Sequence, residues 1–185
     1  MRNADSGCPK GPQARKRGVN NAMADLSTSA PSRERTPMEA QPAAVASGRQ
    51  VTNWFSGEKM TFHRTSIETA GEMVELDLDL RPLGSPGGLP HRHLVAEHFE
   101  FVRGTVCAFV GGRRPRIVRG GGMIDVPPNR WHYIVALRPA RARVSIRPAM
   151  HFDELLVVWA AVSRGDLRPA TLRRLRRLLR EHGCI

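Results

Sequence analysis

An all-β domain of short antiparallel strands, followed by two helices, is the fold class this sequence predicts. Three observations carry that prediction. From Met60 onward short apolar runs recur at intervals of about ten residues, the rhythm of an all-β domain rather than of alternating strands and long helices. Over Met73 to Arg81 the alternation is strict, with Val74, Leu76, Leu78 and Leu80 on one face and Glu75, Asp77, Asp79 and Arg81 on the other. After Pro148 the period changes from that of a strand to that of a helix.

Taken in order, residues 1–50 hold eight Arg or Lys and four acidic residues, are crowded with Pro, Ser, Gly and Ala, and contain no aromatic residue. So little apolar area cannot offset the entropy of ordering a chain, and the segment is expected to be disordered or a leader. The core domain is expected over 51–148, where Trp54 and Phe55 are the first large anchors. Pro82 to Pro90 reads as a loop, since its prolines cannot serve a central ladder. A strand is expected to begin near His91. Two further strands, Glu97 to Phe101 and Thr105 to Val110, are expected to be joined at Arg103-Gly104. Gly111-Gly112 is a hairpin signal before a return strand at Arg116 to Val118. Met123 to Val126, Trp131 to Leu137 and Arg141 to Arg147 complete the set.

Residues 149–185 are expected to form a helical extension. Phe152 to Val162 is apolar and helix-like. Pro169 suits the first turn of a second helix that runs to about His182, with Gly183 at its end. In that helix Leu172, Leu175, Leu178 and Leu179 make one apolar stripe and five arginines cover most of the rest. The helix reads as docked by its leucines, with a partner-facing or membrane-surface role for the arginines as the alternative.

The formal charge of +12 is spread over all three segments, and arginine outnumbers lysine 26 to 3. That distribution argues against one concentrated nucleic-acid footprint, so no specific nucleic-acid partner is expected. No run of 18 apolar residues and no apolar stretch after the basic cluster Arg15 to Arg17 is present, so neither a transmembrane association nor a secretory signal is expected. Cys8, Cys107 and Cys184 are odd in number and far apart, which suits a reducing cytoplasm. Cys107 is expected as a small buried hydrophobe.

The chemistry concentrates in four residues. His91 and His93 stand two apart and would share one strand face, Glu97 opens the next extended run, and His132 follows a tight turn. Three neutral imidazoles and one carboxylate form a donor set of borderline hardness, suited to Fe, Mn, Ni, Co, Cu or Zn rather than Ca or Mg. His98 is expected on the opposite face, and His63, His151 and His182 as structural or solvent-facing residues. Phe99 and Phe101 share the face of Glu97 and are expected to wall a substrate pocket. No general base or nucleophile stands out, so no catalytic residue is assigned.

In these residues the sequence resembles the cupin superfamily. Its first motif, G(x)5HxH(x)3-4E(x)6G, is matched by His91, His93, Glu97 and Gly104, with Ser85 in place of the opening glycine and Gly84 one residue away. Its second motif, G(x)5PxGxxH(x)3N, is matched by Gly121, Pro127 and His132, with Asn129 in place of glycine and Ala136 in place of asparagine. Asparagine tolerates the left-handed turn that position demands. The resemblance spans roughly residues 60–148. It implies a cupin-type β-barrel, a jelly-roll double-stranded β-helix, with His91, His93, Glu97 and His132 around one divalent transition metal: iron first, then Mn, Ni or Zn. Cupins include dioxygenases, isomerases and metal-dependent binding modules, so the fold selects no reaction. The functions it implies are a dioxygenase-like oxidoreductase on a small organic molecule, a non-catalytic small-ligand-binding or sensor module, and a sugar or keto-acid isomerase. A homodimer is also expected, by that resemblance and because edge strands around residues 60–80 would need covering.

Overall fold

The structure is a computed structural model that describes residues 44–184. Expectations for residues 1–43, including Cys8, lie outside the described residues. The elements are β1 (Gln50–Asn53), β2 (Glu58–Arg64), β3 (Val74–Leu80), β4 (Ala96–Val110), β5 (Arg116–Arg119), β6 (Met123–Val126), β7 (His132–Arg147), α1 (Phe152–Ser163) and α2 (Pro169–Glu181). The strands form one antiparallel sheet in the order β1-β2-β3-β7-β4-β5, and β6 pairs with β4. No helix among the described residues is long and apolar enough to cross a membrane.

Two strands dominate. The sequence predicts a break at Arg103-Gly104 and another between Leu137 and Arg141, but β4 and β7 run through both places and pair along their whole length. The break signals instead mark a bulge. Between the pairs Phe101↔Ala142 and Val106↔Ala136 five steps along β4 face six along β7. That odd step flips the alternation of β4, so Glu97, Phe99 and Phe101 are buried in its first half and Val106 and Ala108 in its second. Gly104 makes the bulge possible. Its φ is +94°, and a Cβ there would lie 2.4 Å from both Ala140 Cα and Pro139 O.

Buried residues alternate along every major strand: Met60 and Phe62 on β2, Val74, Leu76, Leu78 and Leu80 on β3, and Ile134, Ala136, Ala142, Val144 and Ile146 on β7. Asp77 departs from the expected wet face of β3. It is buried, and accepts hydrogen bonds from Arg141 at 2.8 Å and Arg143 at 3.2 Å, with His63 Nε2 at 3.0 Å. Burial alone would raise the Asp77 carboxyl, but Arg141, His63 and Arg143 bring it down to about 2. Cys107 also departs from expectation: it sits on the outer, half-buried face between buried Val106 and Ala108. The strands around residues 60–80 are interior to the sheet, because β1 covers β2 and β7 covers β3, so that argument for a dimer loses its premise.

Both helices form where expected and pack through Phe152, Leu155 and Val158 of α1 and Leu175 and Leu178 of α2. Leu172, at the end of the stripe, is 41 % exposed and does not dock. Glu154 of α1 joins the two helices by accepting from Arg174 Nε at 2.6 Å. The start of the domain lies earlier than expected, since Val45 is buried in the core and Gly48 N–H donates to Phe62 O at 2.8 Å. A chain beginning at residue 44 should therefore unfold at the same temperature as the full sequence. One beginning at Gln50 loses Val45 and should unfold several degrees lower, on the order of 1 kcal/mol. Differential scanning calorimetry of the three chains checks both statements, and a lower midpoint for the first would show that residues 1–43 contribute.

Candidate metal centre

His91, His93 and His132 are brought together as a group whose potential ligand atoms all lie within 4.8 Å of one another, one such group being found among the described residues. Glu97 closes it, with Oε2 3.3 Å from His93 Nε2 and 3.4 Å from His132 Nε2. Along the β4–β7 ladder the two strand-borne members are far apart, because Glu97 pairs with Ile146 whereas His132 pairs with Val110. Thirteen residues of extended strand would separate those rungs by roughly 43 Å if the ribbon were flat. Contact at 3.4 Å requires the ribbon to curl back over its own interior.

His91 and His93 reach the site by another route than a regular strand. His91 makes an isolated bridge to His132, with reciprocal N–H···O bonds of 3.1 and 2.8 Å. Farther back, Leu83 N–H donates to Ala136 O at 2.8 Å and Ala136 N–H to Gly84 O at 2.9 Å, so the 83–91 segment rides along the edge of β7 opposite β4. His93 is held past that bridge, its carbonyl accepting from Asn129 N–H at 2.6 Å. Asn129 has φ +60°, the left-handed turn expected of it. Gly87 lets the segment pass close to the ring of His91: φ is +70°, and a Cβ there would stand 2.7 Å from His91 Cε1.

Each imidazole is oriented by a backbone carbonyl two residues away. Nδ1 of His91 donates to Leu89 O at 2.7 Å, Nδ1 of His93 to Val95 O at 2.9 Å and Nδ1 of His132 to Arg130 O at 2.8 Å. A carbonyl only accepts, so each Nδ1 carries the proton and each Nε2 presents its lone pair to the cluster. His93 Nε2, His132 Nε2 and Glu97 Oε2 are buried and have no hydrogen-bond partner. Two lone pairs facing a buried carboxylate repel it unless a cation or a proton lies between them, and an orphaned buried polar atom costs about 1–3 kcal/mol. The donor set fits one divalent transition metal: three N and one O, tautomers fixed, with the His93, His132 and Glu97 atoms otherwise unsatisfied.

The electrostatics agree. Burial would raise the Glu97 carboxyl, but the His132 and His93 rings hold it well below the usual carboxylate range. Burial would lower His93, yet contact with Glu97 outweighs it and the ring is held above its ordinary value. Burial and the neighbouring His132 push His91 down. From outside, Phe152 meets His93 edge-on at 5.2 Å and His182 at 5.0 Å, and His182 O accepts from Leu94 N–H at 2.8 Å, so both helices back the cluster. His182 is fully buried, the structural one of the two placements expected of it.

The other expected site residues are placed less directly. Phe99 and Phe101 stack on each other at 6.2 Å in the core, 1 % and 3 % exposed. Cavities of about 640, 490 and 340 Å³ have neither these rings nor the four cluster residues in their walls. His98 faces outward, with Nδ1 2.5 Å from Asp125 Oδ1. One residue that sequence reasoning passed over is Glu58. It is 2 % exposed, accepts from Asn53 Nδ2 at 3.1 Å, and burial pushes its carboxyl up to about 7, partly offset by hydrogen bonds that include Asn53 and the backbone of Gly87. Gly87 also approaches the ring of His91 closely. The alternation Glu58, Met60, Phe62 is the signal that would have placed it inside.

No protein-family model matches the chain, and no curated protein matches it. Among solved structures it is similar to an RmlC-like cupin from Shewanella frigidimarina, at 16 % identity and TM-score 0.48 over 59 % of this chain and 93 % of that one. A predicted oxalate decarboxylase from Thermotoga maritima gives 14 % identity and TM-score 0.47 over 55 % and 92 %. KdgF from Halomonas sp. gives 18 % and 0.44 over 50 % and 79 %. With TM-scores below one half, these likenesses leave the reading of the site to its own geometry.

Proposed function

We propose that this chain is a small mononuclear metal protein of the cupin type, in which His91, His93, Glu97 and His132 hold one divalent transition ion inside a closed β-barrel and a small organic ligand binds at that ion. The observation that carries the reading is the set of three buried, unpartnered ligand atoms, His93 Nε2, His132 Nε2 and Glu97 Oε2, facing one point with their tautomers fixed from behind. The curl of the β4–β7 ribbon, which sets Glu97 against His132, supports the closed barrel. When bound, the ion supplies a Lewis acid able to polarise a carbonyl or hydroxyl oxygen of the ligand.

Binding is favoured over dioxygenase-like chemistry. The latter was expected to use a chamber walled by Phe99 and Phe101, and those rings are packed against each other in the core. Glu58 favours a second reading, an isomerase, because a buried carboxyl raised to about 7 can accept and return a proton.

Elemental analysis of protein made without a histidine tag tests the proposal. Close to one Fe, Mn, Ni or Zn per chain is expected, and titration of loaded protein with small hydroxy and keto acids should give saturable binding. A metal-free protein that takes up none of these ions would overturn the metal reading. Exchange of solvent deuterium into a bound keto acid, lost in Glu58→Gln, would replace the binding reading with the isomerase.

A further inference from the structure

A concavity of about 490 Å³ lies where the β4–β5 turn, β5 and the β6–β7 turn meet, and Arg113, Arg116 and Arg130 line it from those three segments. Elsewhere Asp77 takes Arg141 and Arg143, Glu154 takes Arg174, and Asp166 takes Arg168, while Arg173 and Arg176 of α2, like the cleft arginines, have no carboxylate within 4.0 Å among the described residues. Among the described residues none of the three arginines of this cleft has a carboxylate within 4.0 Å. The one acid in its wall, Asp125, already faces His98 Nδ1 at 2.5 Å. Three arginines in the wall of one concavity raise the local positive potential, which favours an oxyanion there. Guanidinium planes also match phosphate oxygens in paired hydrogen bonds.

The rest of the wall narrows the ligand. Met123 and Pro127 give the cleft an apolar side, room for an organic group beside the charged one. Its volume falls in the range of small-molecule sites. We propose that this cleft binds a small phosphate monoester, the phosphate held by Arg113, Arg116 and Arg130 and the organic part against Met123 and Pro127. The site lies outside the metal cluster, and its occupation does not require the ion. The two meet at one residue: the carbonyl of Arg130 is the acceptor that orients His132.

Phenyl phosphate is the probe, titrated by calorimetry into the full chain at about 150 mM chloride, where attraction beyond about 8 Å is screened. One saturable site per chain is expected. The double substitution Arg116→Gln with Arg130→Gln should weaken binding roughly tenfold or more, because charge-assisted bonds are lost. All three arginines are exposed, so the variant should fold, and its thermal midpoint checks this. The control is Arg173→Gln with Arg176→Gln on α2, which removes the same charge from another exposed surface and should leave binding within about twofold. No saturable uptake, or an equal loss in the α2 control, overturns the proposal by reducing it to attraction to net charge. Metal content, read separately by elemental analysis, keeps failure here distinct from failure of the metal reading.

Discussion

Replacing His132 by Ala is expected to abolish uptake of the proposed ion, lowering affinity by about a hundredfold or more, since even the loss of a group that merely orients a ligand costs about 10–100-fold. His132 is fixed by Arg130 O on one side and presents Nε2 3.4 Å from Glu97 Oε2 on the other, so no neighbouring donor takes its place. His98→Ala should leave metal content unchanged, because that ring faces outward against Asp125. The pH dependence has a definite sign. Contact with Glu97 holds His93 above the ordinary imidazole range, so protons compete for the site as pH falls through that raised value, and affinity should drop toward acid. Metal content after dialysis of the three proteins at several pH values reads these outcomes. Equal metal in His132→Ala and unsubstituted protein would sink the ligand assignment.

Gly104→Ala is expected to be the most damaging small change in the sheet. The added methyl would stand 2.4 Å from backbone atoms of Pro139 and Ala140, at φ +94°, in the middle of the longest strand pair. Neither strand can retreat without breaking the ladder that carries Glu97 and His132, and a loss on the order of 4 kcal/mol follows, enough to lower the midpoint by roughly 10 °C. Gly112→Ala separates the two causes of that loss. Gly112 also has positive φ, +71°, but open space around its Cβ, so it should cost only about 1 kcal/mol. Urea unfolding of both variants gives the comparison, and equal losses would show that backbone strain alone, not the close approach, decides.

Much of this was legible because local signals agreed with the tertiary outcome. Met123–Val126 is found at the expected bounds, and Pro169 opens α2 as its fixed φ requires. His91, His93 and His132, offered by the spacing of two cupin-like motifs, are brought together, and Glu97 from the same motifs lies against two of them. What sequence could not supply was pairing across distance. Gly104 and Pro139 look like strand breakers, yet they face each other at the irregular step of the β4–β7 ladder, which passes over both. Asp77 reads as a wet residue until Arg141 and Arg143, more than 60 positions away, are found across from it. His91 and His93 were expected on one strand face, but their positions come from the 83–91 segment lying along β7. Glu58 was hidden because a carboxylate at the head of a strand is ordinarily solvated.

The carbonyl-oriented cluster draws on three stretches of chain: the segment ending at His93, the start of β4 and the start of β7. An ion shared among them would behave as a covalent cross-link does. It would tie His91 to His132 across 40 intervening residues and forbid the unfolded chain most of the conformations it would otherwise explore. By the arithmetic used for disulfides, closing a loop of that size removes on the order of 3–4 kcal/mol of unfolded-state freedom. The same four side chains that offer a site for chemistry would then serve as a clasp on the fold of a chain that carries no disulfide among its described residues.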